Sequence, residues 1–477
     1  MSWQTVIGLE VHAQLKTRSK LFSSAATAYG AEANSQTSFI DAGLPGVLPV
    51  LNQQAVHMAI QFGLAIDAEI NDLSFFERKN YFYPDLPKGY KISQFQRPIV
   101  SHGSLEIVTD DNCVKKIHIE RAHLEEDAGK SLHEIHSLYT GIDLNRAGTP
   151  LLEIVTTPCL FSASEAISYL KTLHQLLRFL DICDGNMQEG SFRCDVNISL
   201  RPSGCDVLGT RTELKNLNSF RFIEKAIRYE QRRHQDLLET GQPLTQETRL
   251  YCPDTDTTQL LRKKEDENDY RYFPDPDLPP IRVTASDIEH SRAHMKALPA
   301  MLRHRLLTED HLTTHDIDFL LMSPATVQYY DDVKRQSHTP PKTIVNWLKG
   351  TYTAALNEQG LTFEQPPISS THLACLLDRL TDNVIPAQIA KRIFAKLMTE
   401  SKPVDELITA SGYQQQSDNT YLEGIVRATI ENYPEQAADY RAGKVKLLSF
   451  FVGQIMKQTK GQADPALVSA LLHQYLQ

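Results

Sequence analysis

The chain has 477 residues and a mass of 53.9 kDa, which at roughly 150 residues per domain argues for about three domains rather than one core. Hydrophobic residues make up 41% and charged residues 23%, with 22 Gly and 24 Pro, a composition that excludes collagen, wholesale disorder and a coiled coil. The balance of 49 basic against 59 acidic residues, a formal charge of -10, excludes nonspecific nucleic-acid coating by the whole surface but leaves room for a local basic face.

No run approaches the roughly 18 to 20 uninterrupted apolar residues of a membrane span. Met1 to Glu10 has neither the basic region nor the apolar core of a signal peptide, so a cytoplasmic chain without membrane contact is expected. The seven cysteines (113, 159, 183, 194, 205, 252 and 375) form no CxxC pair, which supports neither a disulfide framework nor a structural zinc site.

Up to about residue 217, short period-2 stretches alternate with helical ones, the pattern of a mixed α+β domain. The first strand is expected over Ile7 to Leu15. There Ile7, Leu9, Val11 and Leu15 are apolar, while Glu10, His12 and Gln14 project to the other side, because alternate side chains share a face. The loop Tyr81 to Tyr90 combines rigid prolines, the rings of Tyr81, Tyr83 and Tyr90, and Lys88 beside the flexible Gly89. It suits a nucleotide or an unpaired RNA end, or else forms a pinned aromatic turn on the core.

In HLEEDAGK (123 to 130), His123, Glu125 and Asp127 alternate and Lys130 follows. The AGKS at 128 to 131 is not a Walker A loop, because the first glycine of GxxxxGK[ST] would fall at Leu124. His133 and His136 beside Glu134 read as solvated loop residues. Leu151 to Val155 presents Glu153 between apolar neighbours.

Ser162 with Glu165 forms a capping box ahead of Ala166, Ile167, Leu170, Leu173, Leu176, Leu177 and Leu180, one apolar helix face. Arg193 to Arg201 repeats the design of the first strand: Cys194, Val196, Ile198 and Leu200 lie opposite Arg193, Asp195, Asn197 and Ser199. Thr212 to Leu217 then places Glu213 with Lys215, and a helix is expected from Asn218 or Ser219 to about Leu238, with Ile223, Ala226, Ile227 and Leu238 inward.

The four prolines of Phe273 to Pro280 exclude helix interior and central strand, and a domain ends just after them. From about residue 286 helical periodicity dominates, with breaks at Pro340-Pro341, Pro366-Pro367 and Gln414 to Ser417, so this half is expected to be all-α and to form two units. Within it, Arg441, Lys444, Lys446, Lys457 and Lys460 give a run of positive charge with no acid between them, around an apolar stripe of Leu447, Leu448, Phe451, Val452 and Ile455. Tyr81 to Pro87 loosely echoes Tyr272 to Pro280.

The polar sides of the strands carry the chemistry. Glu10, His12, Glu125, Asp127, Glu153, Asp195 and Glu213 can line one face of a sheet, where crowded carboxylates repel one another unless cations neutralise them. Oxygen-rich ligands favour Mg²⁺ or Mn²⁺, and a single imidazole suits Mn²⁺ better. Lys130, Arg193 and Lys215 among the acids point to phosphate oxygens, since phosphoryl transfer is served by metal and positioned cations.

IGLEVHAQL (7 to 15), GLPGVLPVLN (43 to 52), KNYFYPDLPKGYKISQ (79 to 94), HLEEDAGK (123 to 130), DLNRAGTPLLEIVTTP (143 to 158), RCDVNISLRP (193 to 202), ELKNLNSF (213 to 220) and DYRYFPDPDLPP (269 to 280) together resemble the GatB family. These are the B subunits of the bacterial aspartyl/glutamyl-tRNA(Asn/Gln) amidotransferases. Residues 438 to 465 resemble that family's YqeY-type tail.

The resemblance implies an α+β, mixed-sheet cradle domain related to the glutamine synthetase and guanido kinase fold (1 to 290), then an all-α helical domain (291 to 405) and an all-α tRNA-binding tail (406 to 477). It implies ATP-dependent phosphorylation of the carboxylate of Glu on tRNA(Gln) or Asp on tRNA(Asn), followed by displacement of phosphate by ammonia. His12, Glu125 and Glu153 are then the first candidates for Mg²⁺, with Mn²⁺ as the alternative, and Glu10, Asp195 and Glu213 form a second metal-facing group. Lys88, Lys130, Arg193 and Lys215 meet ATP or the acyl phosphate; Tyr81, Tyr83 and Tyr90 meet ATP or the tRNA 3′ end; and Arg441, Lys444, Lys446, Lys457 and Lys460 meet the tRNA body.

One departure is visible. Many members of that family carry Cys-Pro-Val-Cys just before GLPG, where this chain has Ser38-Phe39-Ile40-Asp41. No GxCxG elbow and no amidase-type Gly-rich Ser stretch is present, so ammonia must come from another chain; the resemblance implies a GatA-type amidase subunit and a small GatC-type subunit. Two other classes remain open: a free-standing amine ligase of glutamine synthetase type, and a noncatalytic tRNA-binding scaffold.

Overall fold

The computed structural model describes residues 2–135, 138–263, 267–411, 419–445, 447–459, 463 and 465–476. It divides into two compact units, Met1–Met301 and Leu302–Gln477.

The first unit is built on a nine-stranded sheet. In chain order its strands are β1 (Trp3–Gln14), β2 (Glu69–Ile70), β3 (Val100–Val108), β4 (Val114–Glu126), β5 (Pro150–Thr156), β6 (Phe192–Pro202), β7 (Thr212–Lys215), β8 (Glu247–Cys252) and β9 (Thr257–Lys263). Their spatial order is β9-β8-β7-β6-β1-β5-β4-β3-β2, so the first strand of the chain ends up in the middle of the sheet. β1 is antiparallel to both neighbours, β5 and β6, and the β7–β8 pair is parallel.

The alternation read from Ile7 to Leu15 is real: Ile7, Leu9, Val11 and Ala13 are fully buried, while Glu10, His12 and Gln14 face the other way. The apolar face shares one core with helices α1 (Gln53–Ala65), α2 (Ala163–Phe179) and α3 (Phe220–Glu239), and Ile288 of helix Ala285–Ala293 packs against it. The three helices pack on the apolar face, and the polar face is left to carry chemistry.

The caps explain where two of these helices begin, with one correction. Ser162 Oγ accepts from Glu165 N at 3.1 Å, but the Glu165 carboxylate accepts from Phe161 N at 2.7 Å and pairs with Lys115, so only half of the expected box closes. Ser219 caps α3 by accepting from Phe222 N at 3.2 Å. The inward face of α3 also differs from expectation. Leu238 is only half-buried, and Glu230 and His234 are buried instead, because Glu230 accepts from Arg233 Nε at 2.8 Å and from Thr258, and pairs with Arg249 at 3.2 Å. Burial would push the Glu230 carboxyl up, yet hydrogen bonds from His234, Arg233 and Thr258 outweigh it and bring its pKa to about 2.

A small three-stranded sheet orders Phe273–Pro274, Glu77–Asn80 and Tyr90–Ser93 in space. The proline-rich segment supplies its edge, where a missing backbone donor costs nothing. The proline-rich segment is tied to the strand just before Tyr81: the Arg78 guanidinium donates to Asp275 and Asp277, both at 2.8 Å.

Every described element of the second unit is helical. Pro341 occupies the first turn of helix Pro341–Trp347, and Pro366-Pro367 lies between helices Thr353–Gln359 and Ser370–Thr381. A separate core gathers Leu422, Val426, Phe451, Ile455, Val468 and Leu472. The break at Gln414 to Ser417 lies outside the described residues. Among the described residues no helix is long and apolar enough to cross a membrane.

Candidate active site

Register brings the acidic face together. On β1, His12 stands opposite Glu153 of β5 and Arg193 of β6, and Glu153 in turn stands opposite His123 of β4. One row, His123–Glu153–His12–Arg193, thus crosses four adjacent strands on the polar face. Glu10 stands opposite Asp195, and Asn197 opposite Glu213.

Two groups result. His12 Nε2 lies 3.4 Å from Glu125 Oε1 and 3.3 Å from Glu153 Oε2. One ligand atom from each of His12, Glu125 and Glu153 lies within 4.8 Å of the others, and the same holds for Glu10, Asp195 and Glu213. Donor atoms so spaced fit around a single hard divalent cation, and the second set, all carboxylate, is the harder of the two.

Hydrogen bonds fix the carboxylates. Asn197 Nδ2 donates to Glu10 Oε1 at 2.7 Å, Thr248 Oγ1 to Glu213 Oε2 at 2.6 Å, and Lys91 Nζ to Glu125 Oε1 at 2.6 Å. His123 Nε2 lies 3.2 Å from Glu153 Oε2, while its own buried Nδ1 has no partner among the described residues.

The electrostatics follow from this crowding. Burial pulls the His12 imidazole down, but Glu153 and then Glu125 outweigh it and leave its pKa above the ordinary value. Burial would raise the Glu153 carboxyl; His123 and His12 on either side hold it well below the usual range. Asp127 is likewise kept low against burial by Arg193 and Arg146, whose nitrogens lie 2.8 and 3.3 Å from Oδ2. Glu153 and Asp127 are therefore ionised near neutral pH.

The two groups sit where two cavities meet. One cavity, of about 1520 Å³, has Tyr81, Tyr83, Tyr270 and Tyr272 on its walls; the other, of about 1270 Å³, has Asp127, Lys130, Arg146 and Arg193. His12, Tyr81, Lys91, Glu125, Asp195 and Lys215 border both.

Of the cations singled out from the sequence, Arg193 and Lys215 lie among the acids, and Lys130 is exposed on the second cavity's wall. Lys88 is on neither wall: its ammonium is bound to Glu126, whose Oε1 also accepts from Ile92 N at 2.9 Å. Tyr81 and Tyr83 pack edge to face at 5.7 Å on the first cavity, whereas Tyr90 turns away beneath the Arg78 guanidinium, 4.2 Å from its ring centroid.

Sequence reasoning passed over Lys91, Thr248 and the Tyr270/Tyr272 pair, and it named His123 as alternating with Glu125 and Asp127 without giving it a place in the site. A signal existed for Lys91, which alternates with the buried Ile92. Tyr272 stacks on Phe95 at 4.5 Å, and Lys79 Nζ lies 4.6 Å from the Tyr270 ring centroid.

The basic tail is less free than its charge count. Arg441 donates to the carbonyls of Leu476 and Tyr475 at 3.3 and 3.4 Å, closing the end of helix Pro465–Leu476, and Lys444 pairs with Asp439 at 2.8 Å. Lys457 is exposed on helix Leu447–Gln458, and Lys446 and Lys460 lie outside the described residues. His133 is an exposed loop residue 3.2 Å from Thr140 Oγ1; His136 is outside the described residues.

At Ser38 to Asp41 there is a buried ion pair: Lys20 Nζ donates to Asp41 Oδ2 at 2.9 Å, and Ser38 N donates to the same oxygen at 2.8 Å. All seven cysteines are free thiols.

Residues 5–289 match the GatB/GatE catalytic domain family, and residues 328–476 match the GatB domain family. The chain belongs to the GatB family. The B subunit of the aspartyl/glutamyl-tRNA(Asn/Gln) amidotransferase of Legionella pneumophila is 64% identical over 476 residues, with 100% of each chain covered. The proteins of the same name from Thioalkalivibrio sulfidiphilus and Coxiella burnetii are 53% and 51% identical over 477 residues, again with 100% of each chain covered. Both acidic groups lie inside the stretch matched to the GatB/GatE catalytic domain.

Proposed function

We propose that this chain is the synthetase subunit of a tRNA-dependent amidotransferase. It converts Glu-tRNA(Gln), Asp-tRNA(Asn) or both to the amidated tRNA, using ATP and ammonia from a GatA-type partner held with a GatC-type subunit. The observation that carries this reading is the pair of acidic groups on one sheet face where two cavities meet, in a chain that matches GatB proteins from end to end.

A carboxylate is a poor electrophile, so its oxygen first takes the γ-phosphoryl group of ATP and ADP leaves; ammonia then attacks the acyl carbon and inorganic phosphate departs. His12, Glu125 and Glu153 would hold Mg²⁺ or Mn²⁺, and Glu10, Asp195 and Glu213 a second ion. Bound there, such ions supply charge for the phosphoryl oxygens of both steps. Arg193 and Lys215 offer donors to phosphate oxygens from the same face, and Lys130 from the rim of the second cavity. Asn197 and Thr248 hold Glu10 and Glu213 in fixed rotamers, and Tyr81 and Tyr83 give a base a surface to stack on.

The sheet with helices on one face suits the cradle of the glutamine synthetase and guanido kinase type, over residues 1 to 290. We place a helical domain at 291 to 405 and a tRNA-binding tail at 406 to 477, and the whole in the cytoplasm. The test is to assemble the three subunits and assay Glu-tRNA(Gln) and Asp-tRNA(Asn) separately, with ATP and Mg²⁺ each supplied and withheld. Amide formation on at least one tRNA, dependent on both, is expected; turnover of a free amino acid without tRNA would overturn the reading.

A further inference from the structure

Both acidic groups already contain a cation, and it is the chain's own. In the first, Lys91 Nζ donates to Glu125 Oε1 at 2.6 Å; in the second, Lys215 Nζ contacts Asp195 and lies 3.4 Å from Glu213 Oε1. The oxygens they occupy include those a divalent ion would need. Glu125 Oε1 is the atom that also faces His12, and one oxygen each of Glu10 and Glu213 is held by Asn197 and Thr248. Two cations cannot share these few ångströms without strong repulsion.

Each lysine also has somewhere to go. Both border the two cavities, and a lysine carries its compact charge on a flexible four-carbon stem. We propose that Lys91 and Lys215 are resident counter-ions, which neutralise the two acidic groups in the nucleotide-free protein and move onto phosphate oxygens when a divalent ion arrives with nucleotide. This rests on the reading of the two groups as metal-holding.

The consequence is coupling. An ion arriving alone must displace an ammonium from its carboxylates, whereas an ion arriving with nucleotide brings phosphate oxygens that can take the ammonium up. Metal and nucleotide therefore tighten each other's binding, by the same factor in both directions.

Mn²⁺ alone, titrated into the full chain and followed by electron paramagnetic resonance with and without a nonhydrolysable ATP analogue, tests this. Lys215→Met should bind Mn²⁺ alone on the order of tenfold more tightly than wild type, because the competing charge is gone. Lys215→Arg should show no such gain, and the factor by which the analogue tightens Mn²⁺ should shrink in Lys215→Met. Lys91→Met makes the same test at the other group should one variant fail to fold, as judged by near-ultraviolet circular dichroism. Folded methionine variants that bind Mn²⁺ no more tightly than wild type would overturn the counter-ion role. So would a wild-type chain whose Mn²⁺ affinity ignores the analogue, a measurement that needs no variant. A wild-type chain that binds Mn²⁺ at neither group, with or without the analogue, would instead remove the metal reading beneath it.

Discussion

His12 and Glu153 face each other across β1 and β5, with Nε2 3.3 Å from Oε2, in the middle of the sheet. Glu153 takes a second imidazole, His123, on its other side at 3.2 Å. A carboxylate held between two imidazoles and kept ionised is suited to binding a cation, and this arrangement needs three strands to meet in the right register.

His12→Ala or Glu125→Ala in the assembled complex should lower ATP-dependent amide formation by orders of magnitude. Glutamine hydrolysis by the partner should survive, because the sequence of this chain has neither a GxCxG elbow nor an amidase-type Gly-rich Ser stretch. Separate assays of the two activities check this, and near-normal amide formation in both variants would contradict the assignment.

Arg193→Ala should weaken the ATP-dependent step far more than tRNA binding, on the order of 10²-fold in rate. The reason is placement: the guanidinium lies among the acids, 2.8 Å from Asp127, on the wall of the second cavity. Collapse of tRNA affinity with unchanged ATP use would move Arg193 to the RNA surface.

In the tail, the structure separates two kinds of basic residue. Lys457→Ala should lower the salt dependence of tRNA binding by a little under one unit of slope, as expected for one lost phosphate contact. Arg441→Ala should act first on the fold, costing about 1 kcal/mol in thermal unfolding through the helix-end carbonyls it holds. The prediction is checked by binding isotherms at several salt concentrations alongside melting curves.

Glu230 offers a pH test away from the chemistry. Its carboxyl is buried with a pKa lowered from 4.5 to about 2, so the stability it contributes is complete above the ordinary value and is lost as pH falls toward about 2. Glu230→Gln should therefore destabilise the first unit by a few kcal/mol at neutral pH and by clearly less near pH 3. Denaturant unfolding at the two pH values decides it; an equal loss at both would show that the carboxylate's charge is not what matters.

The acidic face was legible in the sequence because strand alternation is local: Ile7 to Leu15 and Arg193 to Arg201 sort their own residues to two sides without reference to the rest of the chain. Which strands become neighbours is not local. Nothing in Leu151 to Val155 says that it lies beside residues some 140 positions earlier, so the row through His123 and Glu153 emerges only in the sheet. Lys88 and Lys91 make the same point at short range. Gly89, at a φ of +74°, ends the turn that holds Lys88 and leads into the strand of Lys91, so that one ammonium meets Glu126 and the other Glu125. The tail's charge run was legible as a count, but Asp439 lies just outside it and neutralises Lys444.

If the tRNA-borne carboxylate itself is phosphorylated on this sheet face, one of its oxygens must end in inorganic phosphate. The most direct measurement uses Glu-tRNA(Gln) labelled with ¹⁸O in the side-chain carboxylate, turned over by the assembled complex with ATP and glutamine, with the released phosphate analysed by mass. Phosphorylation followed by displacement with ammonia must carry one labelled oxygen from each carboxylate into inorganic phosphate. Phosphate released without label, while amide forms at the normal rate, would contradict the account.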